Sequence, residues 1–218
     1  SGFDDNNNGI WIYNVKTNAV YCDIPKRKDD GCFSTVCFFP AADGSPESYL
    51  LAAGGLKGTL QFIELHKERW YLRHTFSHYR IRYAFALRDM QSVIACDTQD
   101  RVRIYKYDVE KRTSYHATLF REEYPIQTMN VHPSEKLCVL VCQTIGMRLW
   151  CLSNCQLLRT FSGLQLHDQR LVTPSFGGYR DNYIACPNSY DNKILVWRLS
   201  DSKPVTAIAG HKGFVNCV

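Results

Sequence analysis

The sequence predicts an all-β chain, a β-propeller assembled from four-stranded antiparallel blades, and three observations carry that expectation. Five segments share one form, an alternating apolar run ending in a large residue: IWIYNV (10–15), LQFIEL (60–65), VRIYKY (102–107), MRLWCL (147–152) and ILVWRL (194–199). Aligning their fourth positions gives Tyr13, Ile63, Tyr105, Trp150 and Trp197, at intervals of 50, 42, 45 and 47 residues. A repeat of about 40–45 residues is the length of a four-stranded propeller blade. The composition agrees: 45 % apolar and 22 % charged residues belong to an ordered globular chain, and 13 % aromatics favour pleated, half-buried strands.

Each repeat follows one plan. A small-residue strand and a tight turn precede the aligned run, as in YLLAAGGLKG (49–58), VIACDTQD (93–100) and YIACPNSYDN (183–192). Further upstream lies another alternating strand, FSTVCFFP (33–40), IQTMNVHP (126–133) or LVTPSFGG (171–178), and a short outer strand such as VTAIAGH (205–211) follows the run. In FSTVCFFP and IQTMNVHP the terminal proline, lacking an N–H, closes the strand. Four strands per repeat is the count that a blade requires.

A lone four-stranded sheet buries its faces poorly, so blades stack radially and each covers the next. Tyr13, Ile63, Tyr105, Trp150 and Trp197 are the residues expected to fill the gaps between blades. The repeats divide the chain at 1–30, 31–77, 78–123, 124–163 and 164–209, with 210–218 opening another unit. That amounts to about five blades' worth of a ring expected to have seven, and both ends fall inside a blade. The expectation is therefore a fragment of a larger protein whose remaining strands close the ring.

Other readings find little support. Ten cysteines in 218 residues, with no signal-peptide pattern and no CxxC pair, point to a reducing compartment, cytoplasmic or nuclear, and to small buried hydrophobes rather than a disulfide or zinc framework. His74 and His78 have HxxxH spacing, but on a strand and loop they would not converge on a metal. No apolar run approaches the ~20 residues of a membrane span. Gly54, Gly55 and Gly58 form neither a GxGxxG nor a GxxxxGK[ST] loop, no nucleophile elbow is present, and no catalytic residue, metal or cofactor is expected.

Nucleic acid is the alternative partner, motivated by Arg80, Arg82, Arg101 and Arg103 beside Tyr79, Tyr83 and Tyr105. Arg101 and Arg103 alternate with Val102 and Ile104, so they would form a short basic stripe on one sheet face. The formal net charge of only +5 argues against it.

The segments SGFDDNNNGIWIYNVKTNAV, LLAAGGLKGTLQFIEL, VIACDTQDRVRIYKYD, EEYPIQTMNVHPSEKLCVL, GMRLWCLSNCQLLRTFSG and NKILVWRLSDSKPVTAIAGHKGFVNCV resemble, in this order, blades of WD-repeat propellers. In particular they resemble the WD-repeat subunit of the CTLH (GID) ubiquitin ligase complex. The most specific stretches are IACDTQDRVRIY and the last 25 residues; similarity is sparse at 66–92. WD repeats usually place a hydrogen-bond-accepting Asp in the turn before the Trp strand. Asp191 takes that place, with His211 of Gly210-His211 as the usual partner type for the blade it opens. The aligned positions elsewhere are Lys57, Gln99 and Thr144, so the polar network is expected to degenerate and packing to carry those blades. The turn SYDN departs from the family's Ser-Glu-Asp type.

The resemblance implies a non-catalytic scaffold, with LisH and CTLH helices preceding the propeller in family members and catalysis left to RING subunits. Its partners would be other subunits of a ubiquitin ligase complex, and substrates. A stiff disc presents its turns for recognition. Here Asp4, Asp5, Lys57, Gln99, Asp100, Arg101, Asp191 and Lys193 would form a mixed-charge rim reading a peptide or loop.

Overall fold

Alternating apolar runs punctuated by tight turns make consecutive hairpins, and the computed structural model consists of little else. It describes residues 9–25, 33–39, 48–55, 57–89, 91–166 and 171–218. Among these the helical content is one short 3-10 turn, Tyr179–Asp181.

β1 (Ile10–Asn14) pairs with β2 (Ala19–Ile24) as a two-stranded ribbon. Four sheets of four strands follow. The first holds β3 (Phe33–Phe38), β4 (Ser48–Gly55), β5 (Thr59–His66) and β6 (Arg69–Ser77). The second holds β7 (Ile81–Ala86), β8 (Ser92–Asp97), β9 (Arg101–Asp108) and β10 (Thr113–Arg121). The third holds β11 (Ile126–Val131), β12 (Leu137–Cys142), β13 (Gly146–Cys151) and β14 (Gln156–Phe161). The fourth holds β15 (Ser175–Gly177), β16 (Tyr183–Pro187), β17 (Ile194–Arg198) and β18 (Thr206–Ile208). In every sheet the spatial order is the chain order. This is the all-β, four-stranded antiparallel blade architecture of WD-repeat propellers. β7, IRYAFA, is a strand that the sequence reading left unassigned.

The sheets share their irregularities as well as their order. Between first and second strands the register slips at Phe33/Thr35, Ile81/Tyr83 and Ile126/Thr128, leaving Ser34, Arg82 and Gln127 as extra residues. Between third and fourth strands it slips at Phe62/Ile63 and Leu149/Trp150, and in the β1–β2 ribbon at Ile12/Tyr13. Three of the five aligned positions thus sit at a bulge, where an extra residue bends the strand and increases its twist.

The chain divides into two compact units, Ser1–Thr118 and Leu119–Val218. In the first, the β3–β6 sheet is covered on both faces. Ile63 and Leu65, with Leu51 and Ala53, pack on Ile10, Cys22 and Ile24 of the ribbon. Leu60, Phe62, Leu50, Ala52 and Phe76 pack on Ala84, Val93, Ala95, Tyr105 and Tyr107 of the second sheet. Period-two alternation sends successive residues to opposite faces, so one run serves two interfaces.

The second unit repeats this arrangement. Val139, Val141, Met147, Leu149 and Phe161 of the third sheet pack on Ile184, Cys186, Leu195 and Trp197 of the fourth. An edge-on ring contact between the outer strand of one sheet and the third strand of the next recurs. Phe76 meets Tyr105 at 5.1 Å in one unit, and Phe161 meets Trp197 at 6.2 Å in the other. Each such side chain contributes about 1.5–3 kcal/mol on full burial.

First strands of adjacent sheets are also stitched together. Ser34 Oγ donates to the Ile81 carbonyl (2.5 Å), and the Ala84 N–H donates to Thr35 Oγ1 (3.1 Å). In the second unit Thr128 Oγ1 donates to the Val172 carbonyl (2.6 Å) and Asn130 to that of Pro174 (2.8 Å).

Candidate functional site

Blades present their chemistry at the turns between second and third strands, and the β8–β9 turn is the most elaborate. Asp97, the last residue of β8, is 1 % exposed. Its Oδ1 accepts the backbone N–H of Gln99 (2.8 Å) and of Arg101 (3.1 Å), and its Oδ2 accepts Nε of Arg101 (3.0 Å) and of Arg103 (3.1 Å). Burial alone would raise its pKa. The hydrogen bonds from Arg101, Arg103 and Gln99 outweigh burial and hold the carboxyl below its ordinary value. The Arg103 guanidinium lies 3.7 Å from the centre of the Tyr79 ring, and Arg101 also bonds the Gln99 side chain. Asp100, in the left-handed region at φ 59°, pairs with Arg82 at 3.8 Å. His78, Tyr79, Arg80, Asp97, Thr98, Gln99 and Arg101 enclose a polar cleft of about 200 Å³.

This geometry corrects two expectations. The polar network of this blade is not degenerate: Asp97, two positions before the aligned Gln99, supplies the buried acceptor. Arg101 and Arg103 do share one sheet face, but that face is interior. Arg103 is 4 % exposed and both cations are tied to Asp97, so no open basic stripe exists for a phosphate backbone to follow.

The third sheet also has a buried carboxylate, here supplied from the segment before β11. Glu122 accepts Arg148 Nη1 (2.5 Å) and the Trp150 indole N–H (2.9 Å), while Trp150 stacks on Phe120 at 4.2 Å. Packing therefore does not act alone in that sheet either. Trp150 is half-buried rather than enclosed. In the fourth sheet Asp191 accepts hydrogen bonds from the Asn188 side chain (2.7 Å) and the Lys193 N–H (3.3 Å), and pairs with Lys193 Nζ at 2.8 Å. The Lys193 and Asn188 bonds hold its carboxyl below the ordinary value against a small burial effect. Trp197 is fully buried and donates to the Ser162 carbonyl (3.0 Å), and His211 is exposed.

Of the rim residues, Asp4 and Asp5 lie outside the described residues. In the first unit Lys57 and Gln99 are exposed, whereas Asp100 and Arg101 are half-buried and engaged in the network above. In the second unit Asp191 is exposed and Lys193 half-buried, as a pair. Among the interblade residues, Ile63, Tyr105 and Trp197 are interior, while Tyr13 is 54 % exposed. Ile10 and Ile12 carry the covered face of the ribbon, so Trp11 and Tyr13 fall on the opposite one. The HxxxH pair separates: His74 stacks on Tyr107 (5.0 Å) and meets Phe76 edge-on (4.5 Å), and His78 lies in the β6–β7 turn. Sequence reading missed Asp97 and Glu122 as acceptors. The i, i+4 and i, i+6 spacing of Asp97 to Arg101 and Arg103 was the available signal for the first.

Among the described residues no group of three His, Cys, Asp or Glu is placed to hold a metal ion, and no helix is long and apolar enough to cross a membrane. These features define a set of WD-repeat-type propeller blades with buried carboxylates at turns or sheet edges.

The chain's relatives are WD-repeat proteins. It is 24 % identical over 217 residues to a WD repeat-containing protein 26 homolog of Drosophila melanogaster, covering 100 % of this chain and 32 % of that protein. It is 29 % identical over 134 residues to a WD repeat-containing protein WDS homolog of Arabidopsis thaliana, covering 60 % of this chain and 24 % of that protein. A WD repeat-containing protein 26 homolog of Arabidopsis thaliana is 27 % identical over 101 residues, 46 % of this chain and 17 % of that protein. The chain thus spans about a third or less of the length of the curated relatives it matches. No protein-family model matches it.

Proposed function

We propose that the chain is part of a non-catalytic protein-interaction scaffold that recruits substrates to, or assembles, a CTLH/GID-type ubiquitin ligase complex in the cytoplasm or nucleus. The observation that carries this reading is the division of labour in the blades. Within each unit, repeated sheets with shared bulges, ring contacts and buried carboxylates form a stiff frame, and polar or charged side chains such as Lys57, Gln99 and Lys193 stand at the turns. Function on such frames sits in the turns. Resemblance to the WD-repeat subunit of that complex, together with relatives named WD repeat-containing protein 26 homolog, supports the choice of complex.

The test is affinity capture of the tagged full-length protein from cells, followed by mass spectrometry, beside a Lys57→Glu/Lys193→Glu variant. RING and CTLH subunits are expected with the parent protein, and at least one partner is expected to be depleted with the variant. Recovery of no ligase subunit would refute the complex. An unchanged partner set would refute the role of the turns.

A further inference from the structure

We propose that the cleft between the β6–β7 and β8–β9 turns is a docking site for an acidic peptide segment of a partner protein, with Arg80 as the cation that meets its carboxylate. The proposal rests on the interaction-scaffold reading above and names the chemistry that one turn cluster would recognise.

Among the described residues that line the cleft, Arg80 and Arg101 stand against the single carboxylate of Asp97. Asp97 is committed to Arg101 and Arg103, and Asp100 pairs with Arg82. Arg80 lines the cleft, is exposed, and has no ion-pair or side-chain hydrogen-bond partner among the described residues. An arginine fork with its donors free is suited to a planar carboxylate, which it can grip through two parallel N–H···O bonds.

The walls are preorganised. The carbonyl of Arg80 accepts the Thr98 N–H at 2.9 Å, tying one turn to the other, and Asp97 fixes the Gln99 and Arg101 backbone. His78 holds a left-handed backbone at φ 83°, a conformation in which non-glycine residues are uncommon.

Size and covering decide between an acidic peptide and a nucleic acid. About 200 Å³ admits a side chain or two and offers no track for successive phosphates. The Tyr79 ring, the aromatic surface a base would stack on, is covered by Arg103 at 3.7 Å, with Arg101 at 5.5 Å.

The experiment is an NMR titration of the ¹⁵N-labelled chain with acetyl-Gly-Glu-Glu-Asp-Gly-amide, its Gln/Asn counterpart, and single-stranded oligo(U). The acidic peptide is expected to shift the amides of His78, Arg80 and Gln99 and the Arg80 Nε–H, more weakly as salt rises. Arg80→Gln is expected to weaken binding at least five-fold and Arg80→Glu at least ten-fold, both with unchanged melting temperatures because Arg80 supports no other side chain. Lys203→Glu, at an exposed residue outside the rim, is expected to leave affinity unchanged. Equal shifts from the Gln/Asn peptide, preference for the oligonucleotide, or no loss in either Arg80 variant overturns the proposal. No shift at the cleft with millimolar acidic peptide overturns it as well, and the scaffold reading is judged separately by its co-purification test. Shifts confined to the Asp191–Lys193 turn overturn this assignment while leaving that reading intact.

Discussion

Replacing Asp97 with Asn tests whether a buried carboxylate holds the second sheet in place. The substitution keeps the shape, so the N–H groups of Gln99 and Arg101 keep an acceptor. The other oxygen becomes an NH₂ facing the Nε atoms of Arg101 and Arg103, now 3.0 and 3.1 Å away. Arg101 is half-buried and can turn to water, which recovers most of its share. Arg103 at 4 % exposure cannot, and removing one partner of a buried pair costs about 3–5 kcal/mol. A loss of that size is expected in urea unfolding followed by far-UV circular dichroism, with faster hydrogen exchange in β8 and β9. Asp97→Asn/Arg103→Met removes the stranded charge and should be more stable than the sum of the single variants by about 1 kcal/mol or more. A loss below about 1 kcal/mol in Asp97→Asn, or strict additivity in the pair, would refute the reasoning.

Asp97 and Asp89 are held below their ordinary values because hydrogen bonds overcome the upward push of burial, those to Asp89 coming from Ser92 and Gln91. Their contribution is full above the unfolded carboxyl pKa of about 3.9 and is lost as pH falls through the lower folded values. The urea midpoint should therefore drop below about pH 4, less steeply in Asp97→Asn, and an equal slope in the two proteins would count against the assignment. Gly54→Ala places a Cβ 2.7 Å from Ile81 Cγ2 and 3.0 Å from Thr35 Cγ2. It should destabilise by about 1–3 kcal/mol, with partial recovery on adding Ile81→Val; a neutral result would mean that β4 and β7 are not so closely apposed. Iodoacetamide should label exposed Cys217, and Cys151 with its thiol lowered by the Asn154 and Ser153 N–H groups, ahead of Cys37, which burial pushes up to about 11, and of Cys186, raised by burial. Peptide mapping over time reads the order, and early labelling of Cys186 would contradict its enclosure.

The repeat was legible because period-two alternation and a fixed spacing are both written in residue order. Ile63, Tyr105 and Trp197 take the interior positions read from the alignment, and Asp191 does accept hydrogen bonds in its turn. Tyr13 is 54 % exposed, on the face of the ribbon opposite the β3–β6 sheet; alternation gives the two faces of a strand but not which of them has a neighbour. The same blindness turned Arg101 and Arg103 into an apparent surface stripe: their face of β9 also carries buried Tyr105 and Tyr107, and a cation can be interior when a carboxylate meets it. Asp97 was overlooked because alignment on the large residue assumes turns of constant length. Glu122 lies 26 residues from Arg148, a separation at which no local pattern signals the pair. The cleft beside Arg80 depends on β7, whose bulge at Arg82 breaks the alternation that would have revealed it.

Within each unit, successive four-stranded sheets seal one another face to face. Nuclear Overhauser contacts in the selectively methyl-labelled chain test it most directly. The account predicts cross-peaks from the Thr35 methyl to the Ala84 amide, and from the Leu60 methyls and Phe62 ring to Tyr105 and Tyr107. Leu60 and Phe62 that see only strands of their own sheet, with Tyr105 open to solvent, would contradict it.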